Sequence, residues 1–351
     1  MKEFIRKLKK HVHQLIWKVC IGYGNIIESC SVKNEEYALF DPSLDSYNLG
    51  DAIISHYCRS ALADCLDCDN LMSVQTHRVC DKEKQQKLVH INKKILFGTN
   101  IISPQIERYS IWTLPKSLMG YHNTIAMGVG AGHHSESIST MSAFVYRRIF
   151  SSEGLHSVRD SNVETIFHQI GIHNVVNTGC PTLWRMTPEH CASIPSTKAD
   201  KVVSTVTDYD RDPDKDVAML NILQEEYAEV YVWIQGADDL KYLESLIDLS
   251  SVHIIEHSVQ AYTSILVNEH IDYVGTRLHA GIHALNYGIR SLVISIDNRA
   301  EEMGRDFSLP VMQRKAVTSD LRNWINSDQN TMLHLPWDNI ARWKAQFEKD
   351  A

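Results

Sequence analysis

At 351 residues the chain is longer than one hydrophobic core usually serves, so two domains are expected. Hydrophobic residues make up 44% and charged ones 22%, a globular composition, and 35 basic against 43 acidic residues leave a formal charge of −8. That balance excludes a general nucleic-acid binder, which needs a basic face, and no run of about 18 apolar residues suggests a membrane span.

Residues 2–19 place Lys2, Arg6, Lys7, Lys9, Lys10 and Lys18 around an apolar stripe of Ile5, Leu8, Val12, Leu15, Ile16 and Val19. This basic amphipathic pattern has two readings: peripheral contact with an anionic membrane surface, or a helix docked on its own protein. The segment lacks the apolar core of a signal peptide, so the expected location is cytoplasmic, with the inner membrane face open to it.

From Glu36 an α/β alternation begins, with a strand over 37–40 and a helix over 51–63. The turn between them is Asn48-Leu49-Gly50-Asp51. Gly50 permits a close backbone approach, while Asn48 and Asp51 put polar groups at the helix start; a plain helix cap is the simpler role for Asp51. The eight cysteines suggest reduced thiols. Cys65 and Cys68 have metal-ligand spacing, yet Cys58, Cys65 and Cys68 also recur at helical intervals as small core residues, and no second tight pair completes four ligands. No metal is expected.

Further strands are read at 94–97, 124–129, 156–158 and 174–177. Gly128-Val129-Gly130-Ala131-Gly132 lacks the full dinucleotide spacing and reads as a tight turn near a ligand, with Gly130 at its centre. Ser157-Val158-Arg159-Asp160 ends a strand and opens a helix. Gly179-Cys180-Pro181-Thr182 breaks the pattern, and the stretch to Asp200, with Pro188 and Pro195, reads as an interdomain connection. Strands at 202–206, 229–234, 252–255, 271–274 and 291–296 then repeat the scheme. The expected division is an N-terminal segment to residue 30, Rossmann-like domains over 31–190 and 191–320, and a helical tail over 321–351. Ile340, Trp343 and Phe347 give that tail an apolar stripe that could pack back on the first domain.

The stretch from Gly275 to Gly288 organises the second half. Leu278, Ile282 and Leu285 form the buried stripe of a helix that follows a strand, so Arg277 and His279 sit where ligands bind in open α/β sheets. The helix start adds N–H groups that favour an anion. A capping Arg and a half-buried, packed His are the bland alternative.

Together the Asn48–Asp51, Met127–Gly132, Ser157–Asp160, Gly179–Thr182 and Thr276–His279 motifs resemble, in order and spacing, the polysaccharide pyruvyltransferase family over about residues 35–310. The resemblance implies two Rossmann-like doubly wound domains facing a cleft, the GT-B arrangement. It also implies phosphoenolpyruvate as co-substrate, no cofactor, and a glycan or lipid-linked saccharide acceptor that receives a cyclic pyruvate ketal. It casts Arg159, Arg277 and Leu278 on the donor side and His279 as the acid/base residue. Two departures stand out: Arg299 lies where the family commonly has Lys, which keeps the charge but not a transferable proton, and Phe97-Gly98-Thr99-Asn100 is poorer in glycine.

The chemistry agrees with the residue types. A carboxylate and a phosphate on a small frame call for about two or three cations of bidentate geometry, which Arg159, Arg277 and Arg299 supply. A histidine ordinarily titrates near neutrality, suiting His279 to protonate the methylene carbon, and Asp51 is a second candidate, acting on the acceptor hydroxyl. Tyr121, His122, His133 and His134 are either acceptor-side residues or surface. A GT-B glycosyltransferase using a nucleotide sugar is the alternative, kept open by Glu301 and Glu302; a non-catalytic scaffold would need none of the polar strand ends.

Overall fold

The computed structural model describes residues 35–132 and 138–348, and its α/β chain divides into two compact units. The first half carries β1 (Glu35–Asp41), α1 (Leu49–Leu62), β2 (Met72–Gln75), α2 (Lys82–Val89), β3 (Ile91–Phe97), β4 (Thr124–Met127), α3 (Thr140–Ile149), β5 (His156–Val158), α4 (Ser161–Gln169) and β6 (Val175–Asn177). Then follow α5 (Pro188–Ser193), β7 (Lys201–Ser204), α6 (Pro213–Glu226), β8 (Glu229–Trp233), α7 (Asp239–Glu244) and β9 (His253–Ile255). The chain continues through α8 (Val259–Asn268), β10 (Ile271–Gly275), α9 (Leu278–Asn286), β11 (Ser291–Ser295), α10 (Asn298–Phe307), β12 (Val311–Gln313), α11 (Val317–Ile325) and α12 (Trp337–Ala345).

The first unit contains, of the described residues, 35–45, 62–178 and 338–348. Its parallel sheet runs β2-β1-β3-β4, and the parallel pair β5-β6 continues it through a bridge from Val129 to Val158. Helices on both faces require strands that are apolar on both sides, and every residue of β4 and β5 is buried. Phe40 stacks on Tyr121 at 4.8 Å and meets Trp112 edge-on at 5.4 Å, so Tyr121 is core and not an acceptor-side residue.

The second unit, Ser46–Ala61 with Gly179–Trp337, holds a six-stranded sheet in the order β12-β11-β10-β7-β8-β9. All its pairings are parallel. Numbered from β7 as its first strand, this is the doubly wound order in which the chain reverses direction across the sheet between β7 and β10. Val202, Val232, Val274, Leu292 and Ile294 build one core layer, and Trp233 stacks on Tyr262 at 4.1 Å.

The domain division differs from the expected one in three places. Residues 46–61 join the second unit, because Tyr57 Oη meets His283 Nδ1 at 3.1 Å and Leu49 N donates to Gln235 O at 3.2 Å. The boundary after β6 lies at Gly179, ahead of residue 190. The tail is split: Leu321 and Ile325 belong to the second unit's core, whereas residues from 338 join the first, where Trp343 Nε1 donates to Ala126 O at 3.1 Å and Gln346 bonds both backbone groups of Leu155. β2 and β12 are additional strands; they are short, lie at sheet edges and lack an apolar run. Residues 2–19, His133 and His134 lie outside the described residues.

Candidate active site at the switch point of the second unit

Thr205 follows β7 and Gly275 ends β10, so the loops after these two strands flank the point where the strand order reverses. Arg277 caps α9 in extended conformation, its N donating to Thr205 Oγ1 at 3.1 Å. Tyr273 Oη donates to Arg277 O at 2.8 Å and meets Thr205 Oγ1 at 2.8 Å, which fixes the turn from below. The Arg277 side chain is only 4% exposed. Its Nε donates to Val206 O at 3.3 Å, and Nη2 bonds Asp208, at 2.9 Å, and Asp239. Nη1 alone has no protein acceptor among the described residues. Asp239 also accepts from Gly236 N at 2.7 Å, Gln235 N at 3.3 Å and Asp208 N at 3.1 Å. Burial raises its carboxyl above the ordinary value, against the opposing charge of Arg277.

This refines the expectation for Arg277. Nη2 of its guanidinium is engaged by two protein carboxylates, and Nη1 has no protein acceptor among the described residues. Leu278 and His279 follow on the helix, both buried. His279 Nε2 lies 3.8 Å from Cys180 Sγ. One turn on, His283 packs between Tyr57 and Thr263, 3.1 and 2.9 Å away, and burial, aided by His56, lowers its pKa to about 4.

Arg299 lies in the first turn of α10. Its Nε reaches Asp297 Oδ2 at 2.8 Å, and Nη2 donates to Tyr209 Oη. Arg277 and Arg299 therefore share Tyr209, whose ring centroid is 5.1 Å from one guanidinium carbon and 5.9 Å from the other.

At the start of α1, Asn48 Oδ1 accepts from Gly50 N at 3.1 Å and from Gln235 Nε2 at 2.9 Å. Gly50 thus approaches Gln235 closely, as expected of its position. Asp51 is buried and accepts from Ser46 Oγ at 2.6 Å. The sequence division put Asp51 in the domain opposite His279; the structure places both in the second unit.

Arg159 belongs to the first unit, beyond β5. Its Nε pairs with Asp160 at 3.2 Å, Nη1 donates to Asn100 Oδ1 at 2.8 Å and Nη2 to Ala131 O at 3.4 Å. Gly130 lies directly under the guanidinium, where a Cβ would overlap it. Cys58 and Cys68 are buried and Cys65 is half-buried; among the described residues no group of three or more side chains could hold a metal ion.

The sequence profile of a family described as polysaccharide pyruvyl transferase matches residues 48–298, from the turn before α1 to the start of α10. This chain belongs to that family. Asn48, Gly50, Asp51, Gly130, Arg159, Arg277, Leu278 and His279 lie within the matched span; Arg299 and the following Glu301 and Glu302 lie just beyond it. No curated protein matches the sequence. Among solved structures the chain is similar to the UDP-GlcNAc 2-epimerase from Methanocaldococcus jannaschii, at 10% identity and TM-score 0.45, covering 86% of this chain and 95% of that one. It is also similar to S. aureus MnaA, determined with UDP, at 10% identity and TM-score 0.43, covering 85% and 92%. A third, LpCGTa in complex with UDP, gives 11% identity and TM-score 0.35, covering 90% and 94%. Among the described residues no helix is long and apolar enough to cross a membrane.

Sequence reasoning missed Asp208, Tyr209, Gln235 and Asp239. The available signal was positional: each lies within a few residues of the carboxyl end of β7 or β8, the same edge that carries Arg277.

Proposed function

We propose that the chain moves the pyruvate unit of phosphoenolpyruvate onto two hydroxyls of a sugar, on a cell-surface glycan or its lipid-linked precursor, as a cyclic ketal with release of phosphate. The observation behind this reading is the Arg277-Leu278-His279 turn, where a buried guanidinium, an imidazole and a helix start meet at the second unit's switch point. Arg277 Nη1, the α9 N–H groups and Arg299 suit a small ligand bearing both carboxylate and phosphate. In the first unit this reading uses Arg159, with Gly130 beneath its guanidinium; in the second, Asn48 and Gly50 shape the turn before α1.

In the reaction His279 gives a proton to the methylene carbon. One sugar hydroxyl attacks the adjacent carbon and loses its proton to Asp51. Phosphate departs with the C–O bonding pair, and the second hydroxyl closes the ring, its proton going to the phosphate. Cationic side chains offset the departing charge, so the reading calls for no cofactor and no metal. The basic amphipathic pattern of residues 2–19 supports peripheral contact with an anionic membrane, where a lipid-linked acceptor would be met. Co-sedimentation with anionic vesicles, with and without that segment, tests it.

The main test is thermal stabilisation by phosphoenolpyruvate against a panel of nucleotide sugars. At about a hundredfold over Kd the ligand adds about 2.7 kcal/mol. Arg277→Ala would leave Asp208 and Asp239 facing no cation, so His279→Ala is the cleaner variant. It should still fold, at a somewhat lower melting temperature because the imidazole is buried, and lose turnover; ordinary activity would sink the histidine assignment. Stabilisation by a nucleotide sugar alone would move the chain's chemistry to glycosyl transfer.

A further inference from the structure

The loop after β7 lays Tyr209 across both arginines of the switch-point site, yet the tyrosine is 59% exposed. The partners of the two guanidiniums differ in kind. Arg277 is tied by Asp208 and by buried Asp239, and Arg299 by Asp297, all carboxylates. The one neutral side-chain partner in the set is the Tyr209 hydroxyl on Arg299 Nη2. A charged acceptor bonds a guanidinium about twice as strongly as a neutral one. An arriving phosphate or carboxylate oxygen therefore displaces the phenol most easily, and an exposed side chain has room to leave.

We infer that Tyr209 is a displaceable stand-in for an anionic group of the substrate: its hydroxyl holds the Arg299 guanidinium until a phosphate or carboxylate oxygen takes its place. The proposal rests on the donor reading given above and adds a gating residue to the same site. The ring lies within cation–π reach of both guanidiniums.

Tyr209→Phe separates these contributions, since it keeps the ring and removes the hydroxyl. Binding is read by thermal shift with phosphoenolpyruvate, inorganic phosphate and pyruvate, and by KM for phosphoenolpyruvate. Losing a competing hydrogen bond to a charged group, discounted for the exposure of the phenol, should tighten phosphoenolpyruvate binding about threefold to tenfold. The gain should appear in KM, not in kcat, and should vanish in an Arg299→Gln background, as a double-mutant cycle requires. Tightening of inorganic phosphate identifies the displacing group as the phosphate, and tightening of pyruvate identifies it as the carboxylate. Unchanged or weaker binding of all three by Tyr209→Phe overturns the clamp. If phosphoenolpyruvate does not stabilise the wild type, while inorganic phosphate binds Tyr209→Phe more tightly, the donor reading fails and the clamp stands.

Discussion

Arg159 and Arg277 follow the same local rule and are held in opposite ways. Each ends a strand, opens a helix and lies almost wholly buried, at 2% and 4% exposure. Each rests on a glycine, Gly130 or Gly236, whose missing Cβ makes room for the guanidinium. Among the described residues Arg159 has one carboxylate, its neighbour Asp160, which also caps α4 through Val163 N; its other partners there are a neutral amide and a carbonyl. Arg277 has two carboxylates and an exposed tyrosine. Topology explains the contrast. Arg277 lies where two loops diverge from adjacent strands β7 and β10, so side chains from separate loops can converge on it, whereas Arg159 follows β5, away from the first unit's own reversal between β1 and β3.

The largest expected effect separates the two carboxylate settings. Asp239→Asn breaks a buried ion pair and weakens a group that also gathers three backbone N–H donors, so it should cost about 3 kcal/mol, seen as an early transition in chemical denaturation. Asp160→Asn also breaks a buried pair, but a longer one, and asparagine still caps α4, so it should cost less, about 2 kcal/mol. Equal losses would mean that Arg159 depends on its carboxylate as much as Arg277 does.

Acid offers a comparison that leaves both arginines in place. Each unit buries a histidine, and burial lowers the pKa of His156 and of His283 to about 4 from 6.5. The unfolded chain therefore binds more protons below about pH 6.5. Stability is lost as pH falls from there toward about 4, by about 3 kcal/mol per histidine. His156 is the less tolerant of the two: its Nδ1 accepts from Ala126 N at 3.2 Å while Nε2 donates to Ser151 O at 2.9 Å, and a backbone N–H cannot turn away from a new proton. The hydroxyls of Tyr57 and Thr263 around His283 can reorient. Unfolding curves at pH 7 and pH 5 for wild type and His283→Gln should show about half of the acid loss retained in the variant, the share carried by His156.

The glycines give the next effect. Gly130→Ala and Gly236→Ala each push a guanidinium aside, and a displacement of about 1 Å at a reacting site can cost about 100-fold in kcat/KM. Full activity in Gly130→Ala, with loss in Gly236→Ala, would make Arg159 a loop anchor and leave donor binding to the second unit.

Much of this was legible before any coordinates. The apolar run ahead of Arg277 marks a strand, and Leu278, Ile282 and Leu285 mark the buried face of α9. What stayed hidden depended on tertiary contacts between segments far apart in sequence. The turn at Asn48–Asp51 reads locally as part of the first βα unit, but Asn48 meets Gln235, 187 residues on, and Tyr57 of α1 meets His283, 226 residues on, and no local pattern announces either pairing. Asp208 and Asp239 look like ordinary polar loop residues until strand order sets the ends of β7, β8 and β10 side by side. Tyr209 was invisible for the same reason: an aromatic in an acidic loop carries no sign that two guanidiniums meet its ring.

The smallest effect concerns the residue that most distinguishes the second turn from the first, His279. Cys180 Sγ sits 3.8 Å from its Nε2, close enough to pack against the ring, but a thiol is a weak donor and a weak acceptor. If the thiol only positions the imidazole, Cys180→Ala should lower kcat a fewfold by loosening the ring. Cys180→Ser, close in volume and a better hydrogen-bonding group, should restore most of it, with the pH profile unmoved. A loss of about 100-fold in the serine variant, with melting temperature unchanged, would give the thiol its own share in the proton transfer. The chemistry of the second unit would then belong to a cysteine–histidine pair, and the contrast with Arg159 would rest on that pair more than on the two carboxylates.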